Sequence, residues 1–252
     1  MLIFYLGTHV VNWLWTKEDR IPFFISDTTL RKYTQTKTRK PLKKSKFIWA
    51  LDSGGYSELH KYGVWTVPPK VYANRCERYY SEIGKLQFCA IQDWMCEETV
   101  RKKTGKTVEY HQKKTIESYL TLTDLSPNLP WRAVLQGQSA DDYLNHLDQY
   151  RSAGYLGTEF GLGSVCRRAN SQEIVDLVKI LYDRGLKIHG FGVKTTALDK
   201  ISHMLDTADS LAWSYAARYS PPHTKLCTTH KNCANCYKYA KYWYRKQLRR
   251  IT

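Results

Sequence analysis

Three cysteines near the end of the chain have the spacing of metal ligands. Cys227, Cys233 and Cys236 follow one another as C-x5-C-x2-C, and thiolates with this spacing can converge on a tetrahedral Zn²⁺. A fourth ligand is needed: His230 gives an even C-x2-H-x2-C-x2-C series, and His223 is the alternative. Because four protein ligands close a zinc site, we expect a structural Zn²⁺ and not a catalytic one.

A second chemically capable segment is Asp52-Ser53-Gly54-Gly55-Tyr56, which follows an apolar run of the buried type. Two glycines let backbone N–H groups approach a ligand closely, and the Asp52 carboxylate would face that ligand. Such turns are also common as plain helix starts, in which Asp52 would only cap a helix that begins near Tyr56. The motif therefore indicates a ligand site only when similar motifs accompany it.

Similar motifs follow later apolar runs. Gln92 and Asp93 bring an amide and a carboxylate together. Guanine presents N–H donors at N1 and N2 beside the O6 acceptor, so a carboxylate could read the donors and an amide or backbone N–H could read O6. Singly, each motif could be a loop with a helix cap. The other polar or glycine positions of this kind are Gln136, Gly137, Gly161, Gly163, Gly192 and Lys194.

The elements that must position these residues alternate between short strand-like runs and amphipathic helix-like runs, which is typical of a parallel α/β fold. The predicted strands are 2–6, 22–25, 47–51, 86–91, 132–135, 158–161, 187–191 and 210–213. The predicted helices are 69–83, 108–122, 140–153, 171–184 and 197–205. Ser139 is a predicted N-cap, and Gly154 and Gly185 are predicted to end their helices.

Eight strands with interleaved helices indicate a TIM-type (β/α)8 barrel, whose active site lies at the carboxyl ends of the strands. The polar motifs fall just after the strand-like runs, as this fold requires. A doubly wound open sheet is the alternative, and it would gather the motifs at one switch point. We expect a single domain over residues 1–252, with a small zinc-binding subdomain at about 220–240.

The charge balance favours a polyanionic partner. There are 39 Lys and Arg against 23 Asp and Glu, a net charge of +16, which favours binding to nucleic acid. A basic surface kept only for solubility is the alternative, but the chain also has 19 Tyr and 8 Trp, residue types that stack on bases.

Two basic segments could contact phosphates. The run RKPLKKSK at 39–46 is predicted to be a loop that grips a nucleic-acid backbone. The basic and aromatic segment 237–250 predicts a helix with Tyr239 and Trp243 packed inward. Its residues expected to face phosphates are Lys238, Lys241, Arg245 and Arg249.

The cysteine content and the N-terminus bear on the cellular compartment. Seven cysteines are an odd number, and Cys76, Cys89, Cys96 and Cys166 lie in apolar or helical contexts, so we expect reduced thiols beside the metal cluster. No apolar run approaches a membrane span, and the first residues lack the features of a signal peptide. We therefore expect no membrane segment and a cytoplasmic protein, in the host cytoplasm if a phage encodes it.

The order of the motifs resembles the tRNA-guanine transglycosylase superfamily. The matching series is DSGGY, QD after a strand, LQGQ, a GLG loop, GFGVK, an aspartate on the last strand and the cysteine cluster, over roughly residues 47–240. In its short length the chain is similar to the phage and bacterial DNA transglycosylases of the DpdA group. The resemblance implies a pentosyltransferase that replaces guanine in DNA with a 7-deazaguanine such as preQ0.

The resemblance also implies a double displacement, in which a carboxylate attacks the sugar C1′, expels guanine and holds a covalent glycosyl-enzyme. It would make Asp52 the general acid or base, Asp93 the carboxylate that recognises guanine, and Tyr56 a stacking platform. Gln136 and Gly163 would contact O6. The other expected substrate contacts are Ser53, Gly54, Gly55, Gln92, Gly137, Gly161, Gly192, Lys194 and Trp213.

The sequence departs from the family pattern at the nucleophile. The family has an aspartate near the end of the last strand, followed by a small residue, whereas Trp213 stands about there in this chain. Asp209 is the only carboxylate on that strand and is the candidate nucleophile, with Asp52 or Asp93 as alternatives. The family's zinc histidine also lies well downstream of the cysteines, where this chain has no histidine.

Two other functions compete with DNA base exchange. The first is base exchange in tRNA, against which stand the short chain and the lack of a further RNA-binding domain after the cysteines. The second is a module without catalytic activity that only recognises modified bases, and Trp213 at the nucleophile position motivates it. Fold analogy alone does not decide among them.

Overall fold

The computed structural model describes residues 2–35, 41–165, 172–223, 227 and 230–251. Eight strands close into a barrel in chain order. They are β1 (Ile3–Gly7), β2 (Phe23–Ser26), β3 (Trp49–Asp52), β4 (Leu86–Ala90), β5 (Trp131–Leu135), β6 (Glu159–Leu162), β7 (Lys187–Gly190) and β8 (Thr207–Ser210).

Helices follow the strands around the outside of the barrel. They are α1 (Trp13–Thr16), α2 (Asp27–Gln35), α3 (Gly55–Tyr62), α4 (Pro69–Arg78), α5 (Glu98–Thr104), α6 (Val108–Leu125), α7 (Ala140–Ser152), α8 (Gln172–Asp183), α9 (Thr195–Ile201), α10 (Ala212–Arg218) and α11 (Tyr237–Ile251). A π-helical turn, Tyr79–Ile83, extends α4, and a 3-10 turn, Ser202–Met204, follows α9.

The strand pairing confirms the predicted (β/α)8 barrel. All eight neighbouring pairs are parallel, and β1 closes the sheet against β8, with Ile3 opposite Thr207 and Leu6 opposite Ser210. An open sheet would leave two unpaired edges. In this topology every βα connection meets at the same end of the barrel, which is where the sequence placed its polar motifs.

The helices form where the apolar residues recur with helical spacing. In α8, Ile174, Leu177, Val178 and Leu181 are buried against the core, at the i, i+3, i+4, i+7 positions of one helical face. Burial of that face against the barrel, and not intrinsic propensity alone, holds such a helix in place.

The predicted helix ends are present. Ser139 caps α7 in a capping box, because its hydroxyl accepts from the Asp142 N–H and the Asp142 carboxylate accepts from the Ser139 N–H. Gly154 and Gly185 have φ values of 88° and 74°. That left-handed conformation suits glycine and stops α7 and α8.

Aromatic rings fill the inside of the barrel. Tyr5, Phe24, Ala50 and Phe88 form a buried cluster, and Phe191 packs against it. Each comes from a different strand or strand end, because alternate residues of a strand point inward. The rings fill the barrel interior, which therefore holds a packed core and not a channel.

The last strand lies earlier than predicted. We predicted 210–213, but β8 spans Thr207–Ser210 and α10 begins at Ala212. Thr207 and Asp209 alternate with Ala208 along β8, so the strand lacks the apolar pattern that marks other strands. The apolar run that suggested the prediction is divided between the end of β8 and the first turn of α10.

The prediction for the C-terminal helix, α11, is confirmed in part. Tyr239 and Trp243 are half-buried and pack against the core, and the Trp243 ring centroid lies 6.1 Å from that of Phe4. Lys241, however, pairs with Asp19. The helix therefore leaves Lys238, Arg245 and Arg249 exposed as its candidate phosphate contacts.

The described part of the basic run, 41–46, leads into β3, and its contact with a nucleic-acid backbone stays a prediction. Arg39 and Lys40 are outside the described residues. Lys44 donates to the Ser81 carbonyl, and Lys46 pairs with Glu18. Because this run leads into the start of β3, it lies opposite the end where the βα connections meet.

Three predicted thiols, Cys76, Cys89 and Cys96, are buried and free, whereas Cys166 lies outside the described residues. Among the helices that the structure describes, none has the length and apolar character needed to cross a bilayer.

Candidate active site

A cavity of about 230 Å³ opens at the carboxyl ends of the strands. The three predicted carboxylates Asp52, Asp93 and Asp209 all lie on its wall, although they come from distant parts of the chain. The full lining is Gly7, Thr8, His9, Phe24, Ser26, Asp52, Gly55, Tyr56, Asp93, Met95, Glu97, Gly163, Ser164, Phe191, Gly192, Asp209 and Leu211.

Asp52 is the last residue of β3 and is half-buried. Its carboxylate accepts hydrogen bonds from the Ser26 hydroxyl and the Gly54 N–H, which favour the ionised form. Burial and the nearby negative charge of Asp209 outweigh them and raise the pKa of Asp52 to about 6. A group with this pKa can both give and take a proton near neutral pH. Asp52 does not cap α3, which begins at Gly55 after Gly54.

Asp93 follows β4 and is buried. The Gln136 side-chain amide donates to one carboxylate oxygen over 2.5 Å, and the Ser53 hydroxyl lies 3.5 Å from the other. Burial, together with the negative charge of Asp52, raises the pKa of Asp93 to about 7. These hydrogen bonds hold the Asp93 carboxylate in one orientation. With this pKa, its ionised and protonated forms are present in similar amounts near neutral pH.

Asp209 is the penultimate residue of β8 and is buried. The Gly192 N–H donates to its Oδ1 over 2.8 Å. With β8 placed at Thr207–Ser210, Asp209 stands near the end of the last strand and the small residue Ser210 follows it. The apparent mismatch at Trp213 came from the misplaced strand, because Trp213 lies in α10 and not on β8.

His189 supports Asp209 from inside the barrel. Its Nε2 lies 3.4 Å from Asp209 Oδ1, and its Nδ1 lies 2.8 Å from the Thr207 hydroxyl. Complete burial lowers the pKa of His189, while the hydrogen bond and the negative charge of Asp209 act in the opposite direction. We did not predict His189 as a site residue, because a lone histidine in a strand has no distinctive spacing.

Three carboxylates, those of Asp52, Asp93 and Asp209, thus surround one small, partly apolar cavity. The backbone N–H of Gly192 holds the Asp209 carboxylate in place, whereas burial raises the pKa values of Asp52 and Asp93. Such a division of roles by environment is how neighbouring carboxylates perform different steps of one reaction.

The raised pKa of Asp93 predicts a pH-dependent stability. An unfolded aspartate titrates near 3.9, so between about pH 4 and 7 the folded state binds more protons and loses stability as the pH rises. Asp93→Asn removes this effect and keeps an oxygen for Gln136. We expect the variant to unfold about 5 °C above wild type at pH 8, and no higher at pH 4. Thermal unfolding followed by circular dichroism measures both.

The exposed Asp124→Asn change is the matched control, and it should leave the melting temperature unchanged at both pH values. An equal effect of Asp93→Asn at pH 4 and pH 8 would show that packing, and not ionisation, is responsible.

Four further predicted residues line the cavity: Gly55, Tyr56, Gly163 and Gly192. A Cβ at Gly55 would lie 3.3 Å from Asp93 Oδ1, and one at Gly163 would lie 2.3 Å from Gln136 Nε2. The lack of a side chain at Gly163 thus lets the Gln136 amide pack against its backbone, and a side chain at Gly55 would contact the Asp93 carboxylate. The Gly163 N–H itself donates to the Leu135 carbonyl, so it contributes space and not a donor.

Three predicted residues lie one layer behind the cavity wall. Ser53 and Gln136 are buried and hold Asp93, and Gln136 also accepts from the Ser164 hydroxyl over 2.6 Å. Gly54 has a φ of 85°, and its N–H supports Asp52. These residues orient the carboxylates that line the cavity.

The five other predicted contacts do not line this cavity. The Gln92 amide donates to the Val67 carbonyl, away from the chamber. Gly161 makes room for the Phe191 ring, which lies 2.2 Å from where a Cβ would be, and Gly137 lines a neighbouring cavity.

Lys194 is exposed at the start of α9, and Trp213 is buried, with its indole N–H donating to the Gly7 carbonyl over 2.8 Å. Trp213 therefore belongs to the core and lies in α10, and not at the end of the last strand as we had predicted.

The sequence prediction missed the contribution of the first two strands. Gly7 ends β1, Thr8 and His9 follow it directly, and Ser26 ends β2. The same rule that selected Asp52, a polar residue at the carboxyl end of a strand, would have found Thr8 and Ser26. Ser164 has a φ of 57°, which is unusual for serine, but no sequence pattern announces it.

The cysteine cluster forms as predicted. The ligand atoms of Cys227, His230, Cys233 and Cys236 all lie within 4.8 Å of one another. A tetrahedral Zn²⁺ with bonds of about 2.0–2.3 Å needs ligand separations of about 3.3–3.8 Å, so small side-chain shifts would complete the site. This donor set could hold a metal ion, and three sulfurs with one imidazole suit zinc.

His223, the alternative ligand, is outside the cluster. Its backbone N–H lies 3.4 Å from Cys233 Sγ, and its ring packs beside Tyr239 and Tyr242. His230 is therefore the fourth member of the cluster. Its Nε2 lies 3.6 Å from Cys233 Sγ.

Comparison with known proteins gives one family. The family model described as DpdA, DeoxyPurine in DNA protein A, matches residues 2–252. Comparison with curated proteins gave no match.

Proposed function

Because the chain belongs to the DpdA family, and so to proteins that modify purines in DNA, we propose that it exchanges guanine in DNA for a 7-deazaguanine such as preQ0. The observation that carries the proposal is the meeting of Asp52, Asp93 and Asp209 at one cavity of about 230 Å³. A chamber of this size suits a single base extruded from the helix.

In the first step a carboxylate oxygen of Asp209 attacks C1′ of the deoxyribose. The C1′–N9 bond breaks, its electron pair leaves with guanine, and a proton from Asp52 neutralises the departing base. The product is a covalent glycosyl-enzyme. A pKa of about 6 leaves Asp52 partly protonated just below neutral pH, as a general acid requires.

In the second step the deazaguanine enters, Asp52 takes the proton from its N9, and N9 attacks C1′ to release Asp209. Asp93 recognises both bases, because a carboxylate accepts from N1–H and N2–H₂. The Gln136 amide has a second N–H beyond the one donated to Asp93, and the lack of a side chain at Gly163 leaves room for this amide. That N–H is our candidate donor to O6, and Tyr56 and Phe191 offer aromatic faces to the ring.

The cysteine cluster has a structural part in this proposal. It lies between α10 and α11 and is away from the lining of the cavity. Cys227, His230, Cys233 and Cys236 would hold one Zn²⁺ and leave no open coordination position, so chemistry is left to the aspartates.

The direct test is incorporation of labelled preQ0 by purified protein into duplex DNA, single-stranded DNA and tRNA, followed by digestion to nucleosides. We expect label in DNA, recovered as the deazaguanine deoxynucleoside, with release of one guanine for each label. Label in tRNA alone would contradict the DNA substrate, and label in none of the three would contradict base exchange by this chain.

A further inference from the structure

The outer face of α10 carries two tyrosines that have no core role. Tyr215 and Tyr219 are 65% and 77% exposed, and their ring centroids lie 5.4 Å apart with the planes inclined by 62°. Exposed aromatic residues of this size, placed side by side, are typical of an interaction surface.

This pair stands beside the mouth of the cavity. Leu211 lines the cavity and directly precedes α10, and the Tyr215 N–H donates to the Leu211 carbonyl. Tyr215 is therefore one helical turn from the lining, roughly 6 Å along the helix, and Tyr219 is a second turn beyond it. Asp209 and Leu211 both line the cavity, so α10 begins at the wall that carries the candidate nucleophile.

The inner face of the same helix is fixed to the cysteine cluster. The Ser214 hydroxyl donates to the Ala234 carbonyl over 2.7 Å, and Ala217 packs with Cys227 and Cys233. The cluster thus braces α10 from one side and leaves the tyrosine side to solvent. A metal held there would make the helix a rigid support.

A positive charge accompanies the tyrosines. Arg218 is exposed on the same helix, and burial together with the charge of Arg218 lowers the pKa of His9. His9 lines the cavity, and Arg218 is one turn after Ser214 on α10. An exposed cation on the same helix as two exposed rings suits a polyanion that carries stacked bases, as does the net charge of +16.

We propose that Tyr215 and Tyr219 form a stacking platform for the DNA bases that flank the extruded nucleotide, with Arg218 contacting a phosphate between them. The proposal rests on the proposed function, because it assumes that the base enters the cavity from DNA. Nucleotides of one strand are spaced by about 3.4 Å when stacked, so two residues one helical turn apart can reach bases within two or three nucleotides of the target.

The test is equilibrium binding of a fluorescent single-stranded DNA containing one guanine to the full-length protein, followed by anisotropy at several salt concentrations without any deazaguanine. Tyr215→Ala and Tyr219→Ala should each weaken binding about tenfold, with the salt dependence unchanged. Arg218→Ala should lower the slope of log affinity against log salt by about one phosphate contact. Tyr215→Phe and Tyr219→Phe should bind as wild type does.

Tyr182→Ala is the matched control, because Tyr182 is 50% exposed on α8 near the opposite end of the barrel. Unchanged binding by the Tyr215→Ala, Tyr219→Ala double variant, or equal weakening by Tyr182→Ala, would overturn the platform. Because this assay needs no base exchange, it judges the platform even if the incorporation experiment fails.

Discussion

Replacing Asp209 with asparagine is expected to abolish base exchange, by at least about 10⁴-fold, and to prevent any covalent DNA–protein adduct. The amide is not nucleophilic, but its oxygen can still accept from the Gly192 N–H that now holds Asp209. The fold should therefore persist. The measurement is labelled preQ0 incorporation, together with trapping of the adduct on a denaturing gel.

Two further variants make this test specific. Asp52→Asn should slow exchange, since the proton carrier is lost, yet an adduct should still accumulate with a substrate whose leaving group needs no protonation. Asp199→Asn, which removes a surface carboxylate paired with Arg250, should have no effect on exchange. An adduct formed by Asp209→Asn but not by Asp52→Asn would show that Asp52 is the nucleophile.

Removal of the metal is the second change with a large expected effect. Cys233→Ser places a weaker ligand in a buried cluster, and the free energy of zinc binding to such sites is a large part of local folding energy. We expect the purified variant to hold far less than one zinc per chain and to unfold at least about 10 °C below wild type. Metal analysis and thermal unfolding measure the two effects.

The two histidines provide the matched comparison. His230→Ala should lose zinc as Cys233→Ser does, whereas His223→Ala should keep about one zinc per chain, because the His223 ring packs beside Tyr239 and Tyr242 outside the ligand set. Full zinc content in His230→Ala and a loss in His223→Ala would reverse the assignment. Absence of zinc from carefully prepared wild-type protein would contradict the zinc site altogether.

The order of elements and the metal cluster were accessible from local patterns. Seven of the eight strands were predicted within one or two residues, because each is an apolar run followed by a polar or glycine turn. The spacing of Cys227, Cys233 and Cys236 predicted their convergence, since ligands so close in the chain need little tertiary help. Asp52 and Asp93 were found because both follow clear strands.

Only closure of the barrel decided which polar groups share the cavity. β8 carries Thr207 and Asp209 inward, so its pattern does not look like a strand until pairing with β1 fixes its register. That pairing places the Asp209 carboxylate beside the His189 ring, and it leaves Trp213 buried in the core.

The same holds for the residues that surround Asp93. Local spacing treated Gln92 and Gln136 alike, but one amide reaches the Val67 carbonyl and the other holds the Asp93 carboxylate. Which way a side chain points, and which end of the barrel a loop occupies, depends on contacts between residues far apart in the chain. Short-range sequence patterns do not predict these contacts, because the contacts form only when the barrel closes.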